Sequence, residues 1–480
     1  MTEVGASTDQ AGLQPKLSHA GLLMASQVVK WSFRLVFILV VARALGPKEL
    51  GVYALLFTVV EFLAVASGAG YADYLTREAA KDPSVGWGLA FQLVGLRIAI
   101  AVPVALIEIG ILSLMHYPHR VLAGTAWMAL AIVPRSLSEA VQGVLRGIHR
   151  YANHLAIEVV FGGSLVAGAL VLLLRHGQLG MAITVEVLAA VAAGLAGLAF
   201  ALKFGTRGRI HIKGWDLVKK SAIFNLYSLL GNLYDRFDVV LLSKLAGDYA
   251  TGIYSVAYRA LNMTQVFGYG VLYSLLPTLS RDAMGRVEQR RLERALGFLL
   301  SLGFFLLLAT MVFASPAVAL LLGPQYADSA KALKILIWVV IFRYANYALN
   351  IAFLAVGRER VFVSTSLTCL AVNLAGNLLL IPRFGWRAAA AVTILTEAVL
   401  LVQNLYWMRH TRTTLALPGG VVRTSLAFGV LLAVTMAAGS LGSPLLVGTV
   451  CLAFFAAYLV RTGMLNEFAA VWGAERVTAG

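Results

Sequence analysis

The residues of this chain with most chemical potential are charges embedded in long apolar stretches. The cations are Lys30, Arg34, Arg97, Arg135, Arg236, Arg259 and Arg343, and the acids are Glu61, Glu108, Glu139, Glu158, Glu186, Asp235, Asp238 and Glu397. If these stretches cross a bilayer, each charge costs about 2.5–3.5 kcal/mol near a helix centre unless it meets water, a ligand or a partner. Spacing sorts them. Arg135 and Glu139 are four residues apart on one helical face and neutralise each other. Asp235, Arg236 and Asp238 crowd one turn, where two of the three satisfy one another. Glu108 and Glu158 lie toward the ends of their runs and can snorkel to the interface. Lys30 and Arg34 are both positive and share a face, so they call for an external anion or for Glu61 on the next run. Arg97, Arg259 and Arg343 have no opposite charge within a turn. Lys30, Arg34, Arg97, Arg259 and Arg343 therefore read as lining a cationic cavity or, alternatively, as members of ion pairs between helices. A cationic cavity suits an anionic substrate, and the planar fork of arginine suits phosphate. By depth alone, Glu61, Asp235, Asp238 and Glu397 are the acids placed to exchange an ion or a proton. Asn373 and Asn377, on one face, add polar groups suited to hydrogen bonding between helices.

The elements that must hold these groups follow from composition. Of 480 residues, 60% are hydrophobic and 13% charged, so the solvent for most of the chain is lipid. Fourteen apolar runs are long enough to span a bilayer: 20–42, 50–70, 87–112, 121–143, 155–174, 181–202, 221–243, 250–277, 296–322, 333–356, 361–381, 387–408, 421–440 and 444–462. Backbone in lipid must satisfy its own hydrogen bonds, so the runs are helices; the alternation of a barrel is missing. The predicted fold is an all-α integral membrane protein of about 14 transmembrane helices. It comprises a tail (1–19), an N-lobe of six spans (20–202), a basic linker (203–220), a C-lobe of six spans (221–408), two further spans (409–462) and a second tail (463–480). Prolines 103, 134, 277 and 316 allow kinks.

The net charge of +16 is read as a topology signal. Lys and Arg concentrate in alternate loops, with 203–220 and 281–294 richest and on one side, which predicts cytoplasmic termini and an inner-membrane location. No basic soluble module with interleaved aromatics exists, so nucleic acid is excluded as a partner. Cys369 and Cys451 sit in apolar runs as buried thiols, without metal-site spacing. The sequence contains no GxxxxGK[ST], HExxH, CxxC or GxSxG pattern, and no cofactor or catalytic role is expected.

The two lobes are related. An offset of 201 residues maps Arg43, Gly46, Gly51 and Tyr53 onto Lys244, Gly247, Gly252 and Tyr254. An offset of 210 places Gly147 and Arg150 on Gly357 and Arg360, and one of 208 places Arg175 and Gly177 on Arg383 and Gly385. Six spans per repeat gives two pseudo-symmetric lobes of like orientation, the build of secondary transporters. Spans thirteen and fourteen stand outside this scheme and are expected to offer a packing or partner surface.

Four stretches also carry a resemblance: ARALGPKELGVYAL from Ala42, DRFDVVLLSKLAGDYATGIYSVAYR from Asp235, LPTLSRDA from Leu276 and NLAGNLLLIPRFGWRAAAAVTILTE from Asn373. They resemble the polysaccharide (O-antigen type) flippases of the multidrug/oligosaccharidyl-lipid/polysaccharide exporter superfamily, over residues 18 to about 410. One departure is Trp386-Arg387-Ala388-Ala389, where the family usually places a second glycine. The resemblance implies a V-shaped two-lobe exporter fold that carries an undecaprenyl-pyrophosphate-linked oligosaccharide from the cytoplasmic to the outer leaflet. It also implies coupling to an H+ or Na+ gradient or to the membrane potential, with a polysaccharide polymerase or glycosyltransferases as partners. A peptidoglycan lipid-precursor flippase and a multidrug cation antiporter are the alternatives within the superfamily.

Overall fold

The structure is a computed structural model of the 480-residue chain. It describes residues 17–68, 71–205, 214–279, 286–358, 360–410, 419–438 and 444–462. Both predicted tails lie largely outside the described residues, as do the centre of the basic linker (206–213) and the start of the 281–294 segment.

Among the described residues the chain is helical, with no strand. The helices are α1 (Leu17–Ala66), α2 (Tyr71–Lys81), α3 (Pro83–Leu114), α4 (His119–Ala129), α5 (Ile132–Gly147), α6 (Tyr151–Leu174), α7 (Leu179–Phe204) and α8 (Gly214–Met263). They continue as α9 (Gln265–Leu279), α10 (Arg286–Leu322), α11 (Ala327–Leu336), α12 (Val339–Ala355), α13 (Arg360–Phe384), α14 (Trp386–Arg409), α15 (Gly419–Ala438) and α16 (Pro444–Arg461). Among the described residues nine helices are long and apolar enough to cross a bilayer, with a tenth span if Pro324–Leu336 and Val339–Ala355, bent by 44°, count together. This is an all-α multi-pass membrane protein, and among the described residues each apolar run falls on one helix or on two successive helices.

The runs differ from the helices in instructive ways. Runs one and two form one continuous element, α1, interrupted at Gly46 (φ 74°, ψ 172°); runs seven and eight join through α8, interrupted at Gly247 (φ 82°, ψ 175°). Extended backbone at positive φ is open to glycine and strained for other residues, so both breaks sit on glycine. Proline marks a break less well: Pro103 and Pro316 lie inside α3 and α10, which continue through them. A helix absent from the sequence reading, α2, follows the second run. Its Tyr71, Leu75 and Ala79 repeat every four residues and are buried, while Arg77 and Lys81 face outward. Asp82 then caps α3, accepting from Ser84 N at 2.8 Å, with Pro83 in the first turn.

The repeat extends further than sequence offsets reach. Helix pairs α4–α5 and α11–α12 each break after about three turns. The residues His116, His149 and His176 hold positive φ (56°, 58° and 48°), and the corresponding turns of the second repeat hold Gly323, Gly357 and Gly385 (92°, 69° and 56°). The turn at His149 is a Schellman cap, with His149 N donating to Arg146 O and Arg150 N to Leu145 O; Gly357 N to Leu354 O and Arg358 N to Phe353 O repeat it. Gly357, with the same pair of backbone bonds, corresponds to His149 rather than to Gly147.

The chain divides into two compact units. Unit 1 is Met1–Ile38, Leu63–Arg175 and Gly180–Asn225; unit 2 is Leu39–Phe62, His176–Leu179 and Leu226–Gly480. In unit 1, Leu75, Trp87, Leu93, Val144, Leu145 and Ile157 form the core. The backbone of α5 approaches α2 there through Gly143 and Gly147, and Thr76 Oγ1 donates to Gly143 O at 3.0 Å. In unit 2, α15 and α16 lie against α10, where Phe428 stacks on Phe304 (centroids 4.9 Å apart) and meets Phe455 edge-on. Their outer faces, with Leu426, Val430, Leu446 and Phe454 exposed, suit lipid.

Unit 2 also contains a reciprocal contact. A methyl group on Gly51 would fall 1.8 Å from Asp248 O, and one on Gly252 would fall 1.8 Å from Pro47 O. The offset of 201 maps Pro47 onto Asp248 and Gly51 onto Gly252, so the outer halves of α1 and α8 meet as counterparts across a local twofold. Only glycine permits this approach.

Candidate functional site

The buried charges gather into two networks. In unit 1, Arg97 on α3 is 5% exposed, and its Nη1 donates to Glu139 Oε2 on α5 at 2.5 Å. Arg135 Nε donates to the other oxygen of the same carboxylate at 2.7 Å, the pairing expected from their spacing. Arg97 Nη2 also donates to Ala64 O at 3.2 Å, near the end of α1, where a cation meets carbonyls that lack helical partners. In the same unit, Arg34 Nη1 donates to Glu186 Oε1 on α7 at 2.6 Å. Lys30, one turn before, is exposed. Glu158 is 7% exposed, so the expectation that it snorkels to the interface is corrected.

In unit 2 the organising cation is Arg343 on α12, 4% exposed. Its Nε donates to Glu397 Oε1 on α14 at 2.9 Å, its Nη1 to Asn262 Oδ1 at 3.2 Å, and its Nη2 stands 3.6 Å from Asp235 Oδ1. The second oxygen of Glu397 accepts from Asn346 Nδ2 at 2.9 Å, and Asn404 Nδ2 donates in turn to Asn346 Oδ1 at 3.2 Å. Asp235 accepts from the Tyr258 hydroxyl at 2.5 Å. One turn along α8, Asp238 accepts from the Tyr254 hydroxyl and from Val239 N, and Thr393 Oγ1 lies 3.0 Å from the same tyrosine oxygen. Asp235 and Asp238 thus turn toward the tyrosines of the outer half of α8, and the expected pairing with Arg236 is not formed. Arg236 lies instead over the Phe57 ring at 5.7 Å. Arg259 lies over the same ring at 5.8 Å and over Tyr53 at 5.6 Å. An aromatic face attracts a guanidinium through the ring quadrupole and fixes its place.

Arg34, Arg97 and Arg343 therefore take the inter-helix alternative that sequence left open, while Arg259 sits on rings. Of the acids, Asp235 and Glu397 share Arg343, Asp238 takes a tyrosine, and Glu61 is half-buried in α1. Asn373 accepts from Asn377 Nδ2 at 2.9 Å, a bond within one helix. The tyrosine hydroxyls and Asn404 escaped the sequence reading. Tyr254 and Tyr258, four residues apart in an apolar run, were the signal available.

Among the described residues, no group of three or more His, Cys, Asp and Glu side chains is placed to hold a metal. In these networks the guanidinium groups are held by carboxylates, amide and backbone oxygens, and the carboxylates by guanidinium, amide and hydroxyl donors.

Comparison with known proteins supplies the family. The polysaccharide biosynthesis protein family matches residues 17–282, more than half of the chain, and MatE matches residues 225–379. The chain is 22% identical over 383 residues to the probable low-salt glycan biosynthesis flippase Agl15 of Haloferax volcanii, covering 76% of this chain and 78% of that protein. It is 25% identical over 186 residues to the capsular polysaccharide biosynthesis protein CapF of Staphylococcus aureus, covering 38% of this chain and 47% of that one. In fold it is similar to the lipid II flippase MurJ in an inward closed conformation (TM-score 0.74, 12% identity, 93% of this chain and 99% of that chain). An inward-facing multidrug resistance MATE family transporter of the MOP superfamily has a TM-score of 0.65 at 15% identity, over 79% of this chain and 94% of that one. With more than half of its length matched, the chain belongs to the polysaccharide biosynthesis protein family.

Proposed function

We propose that this protein moves an undecaprenyl-pyrophosphate-linked oligosaccharide from the cytoplasmic to the outer leaflet of the inner membrane by alternating access, supplying surface polysaccharide of the O-antigen type. The family, and relatives named for glycan and capsule biosynthesis, support a lipid-linked glycan as cargo. The observation that carries the reading is the pair Arg236 and Arg259 around Phe57. Two guanidinium groups on one ring bring together the planar forks whose geometry suits a pyrophosphate. The protein supplies binding and reorientation in this reading, and no bond of the cargo is made or broken. Coupling to an H+ or Na+ gradient is assigned to Asp238, Asp235 and Glu397, where loss or gain of one charge alters the Arg343 and tyrosine contacts. Both termini are placed in the cytoplasm by the distribution of Lys and Arg. A polymerase or glycosyltransferases acting on the same carrier are the expected partners.

The test compares surface polymer in cells lacking the protein with cells carrying the wild type, Arg236→Ala or Arg259→Ala at matched membrane levels. The reading expects lost polymer, lipid-linked units accumulating on the cytoplasmic face, and rescue by the wild type alone. Normal polymer in cells without the protein overturns the cargo assignment, and altered resistance to cationic drugs would then favour an antiporter. Full rescue by both variants removes the arginine pair from the mechanism.

A further inference from the structure

The start of α6 gathers nitrogen donors for which the described residues provide few acceptors. His154 is 5% exposed, and neither ring nitrogen has a hydrogen-bond partner among the described residues. Arg146, in the last turn of α5, sends Nη2 to Asp73 on α2 at 3.3 Å, while its Nε is buried without an acceptor. Lys30 of α1 and Arg146 both act electrostatically on the His154 ring, and Lys30 is exposed. The helix itself contributes: no side chain caps α6 at Arg150, and the first N–H groups of a helix have no acceptors within it and form the positive end of its dipole. The nearby acids are Asp73, whose side chain is 85% exposed, and Glu158, one turn further along α6 and buried.

Lysine and arginine can only donate, and a histidine donates from at least one nitrogen. Donors of this kind converging at a helix start share a preference for an oxyanion that accepts several N–H bonds at once. We propose that Lys30, Arg146, His154 and the first turn of α6 form a binding site for phosphate oxygens in unit 1, presented by an anionic phospholipid headgroup or by a pyrophosphate. Lys30 and Asp73 are both exposed, so the site opens to the surface of unit 1. It shares no residue with the Arg236–Arg259 pair and stands whatever cargo the protein carries.

The experiment uses the purified full chain, delipidated in a neutral detergent, and reads its thermal midpoint at constant ionic strength. One arm titrates sodium pyrophosphate; the other titrates phosphatidylglycerol into the micelles, with phosphatidylcholine as control. The wild type should be stabilised in at least one arm and unaffected by phosphatidylcholine. In Lys30→Gln and His154→Leu, the half-saturating concentration should rise about tenfold, the scale of one lost charge-assisted hydrogen bond. Lys331→Gln, on α11, should leave it unchanged. A response to phosphatidylglycerol alone supports a lipid headgroup, and a response to pyrophosphate supports a phosphate oxyanion free of lipid. No stabilisation of the wild type in either arm, or equal responses in all variants, overturns the site. Lys30 is exposed, so its variant keeps the fold and the result is readable even if His154→Leu does not fold.

Discussion

In unit 1 one carboxylate, Glu139, serves two guanidinium groups, Arg97 and Arg135; in unit 2 one guanidinium, Arg343, serves two carboxylates, Glu397 and Asp235. The helices that carry them are counterparts. Arg135 follows the break before α5 by a turn, and Arg343 follows the break before α12 by a turn. The difference begins four residues further on, where α5 has Glu139 and α12 has Tyr347. With its acid on the same helix, Arg135 is neutralised locally. Without one, Arg343 reaches α14 and the inner half of α8, so its charge balance depends on three helices holding their places. The two repeats keep the cation at equivalent positions and differ in where its acid lies, on the same helix in one and on other helices in the other.

The largest expected effect comes from removing the shared cation of unit 2. Arg343→Leu leaves Glu397 and Asp235 facing one another and should destabilise the protein by about 3–5 kcal/mol, measured by denaturant unfolding in a single detergent. Adding Glu397→Leu to that variant should recover part of the loss, since a well-packed apolar pair replaces an orphaned buried charge. Further destabilisation of the double variant would show that the two residues are not coupled. In unit 1, Arg97→Leu leaves Glu139 with Arg135 and should cost less, about 1–2 kcal/mol. A cost equal to that of Arg343→Leu would erase the contrast between the units.

The smallest effect compares the caps. His149→Gly relieves a left-handed residue and should stabilise by about 1 kcal/mol, whereas Gly357→His at the corresponding turn should destabilise by about as much. A methyl group on Gly357 meets nothing within 4 Å, so the second change tests backbone conformation rather than crowding. Effects of the same sign at both positions would show that the two turns are not equivalent.

What sequence could and could not show follows from range. Lipid demands a continuous apolar run for each span, so the helices were legible one at a time. Gly46 and Gly247 announced the repeat because the same backbone break needs the same residue in both copies. The equivalence of His149 with Gly357 stayed hidden, since a Schellman cap accepts either residue and no letter is shared. Helix α2 was missed because its buried face is only Tyr71, Leu75 and Ala79 in an otherwise polar stretch. Arg135 and Glu139 could be paired on paper because four residues separate them. The partner of Arg34 lies 152 residues away on α7, and that of Arg343 lies 54 away on α14; no local pattern encodes either. Sequence alone could say only that such charges need a partner.

The meeting of Gly51 and Gly252 bears on the thermodynamics of helix separation. Two helices that touch through backbone at these positions have no side-chain rotamers there to freeze when they come together or to free when they part. Long side chains forfeit about 1.5–2 kcal/mol each when they are ordered, and glycine has none of this to lose. A junction of this kind can part and re-form with almost no side-chain entropy penalty, so its strength rests on close packing alone and its reversibility is built into the residue type.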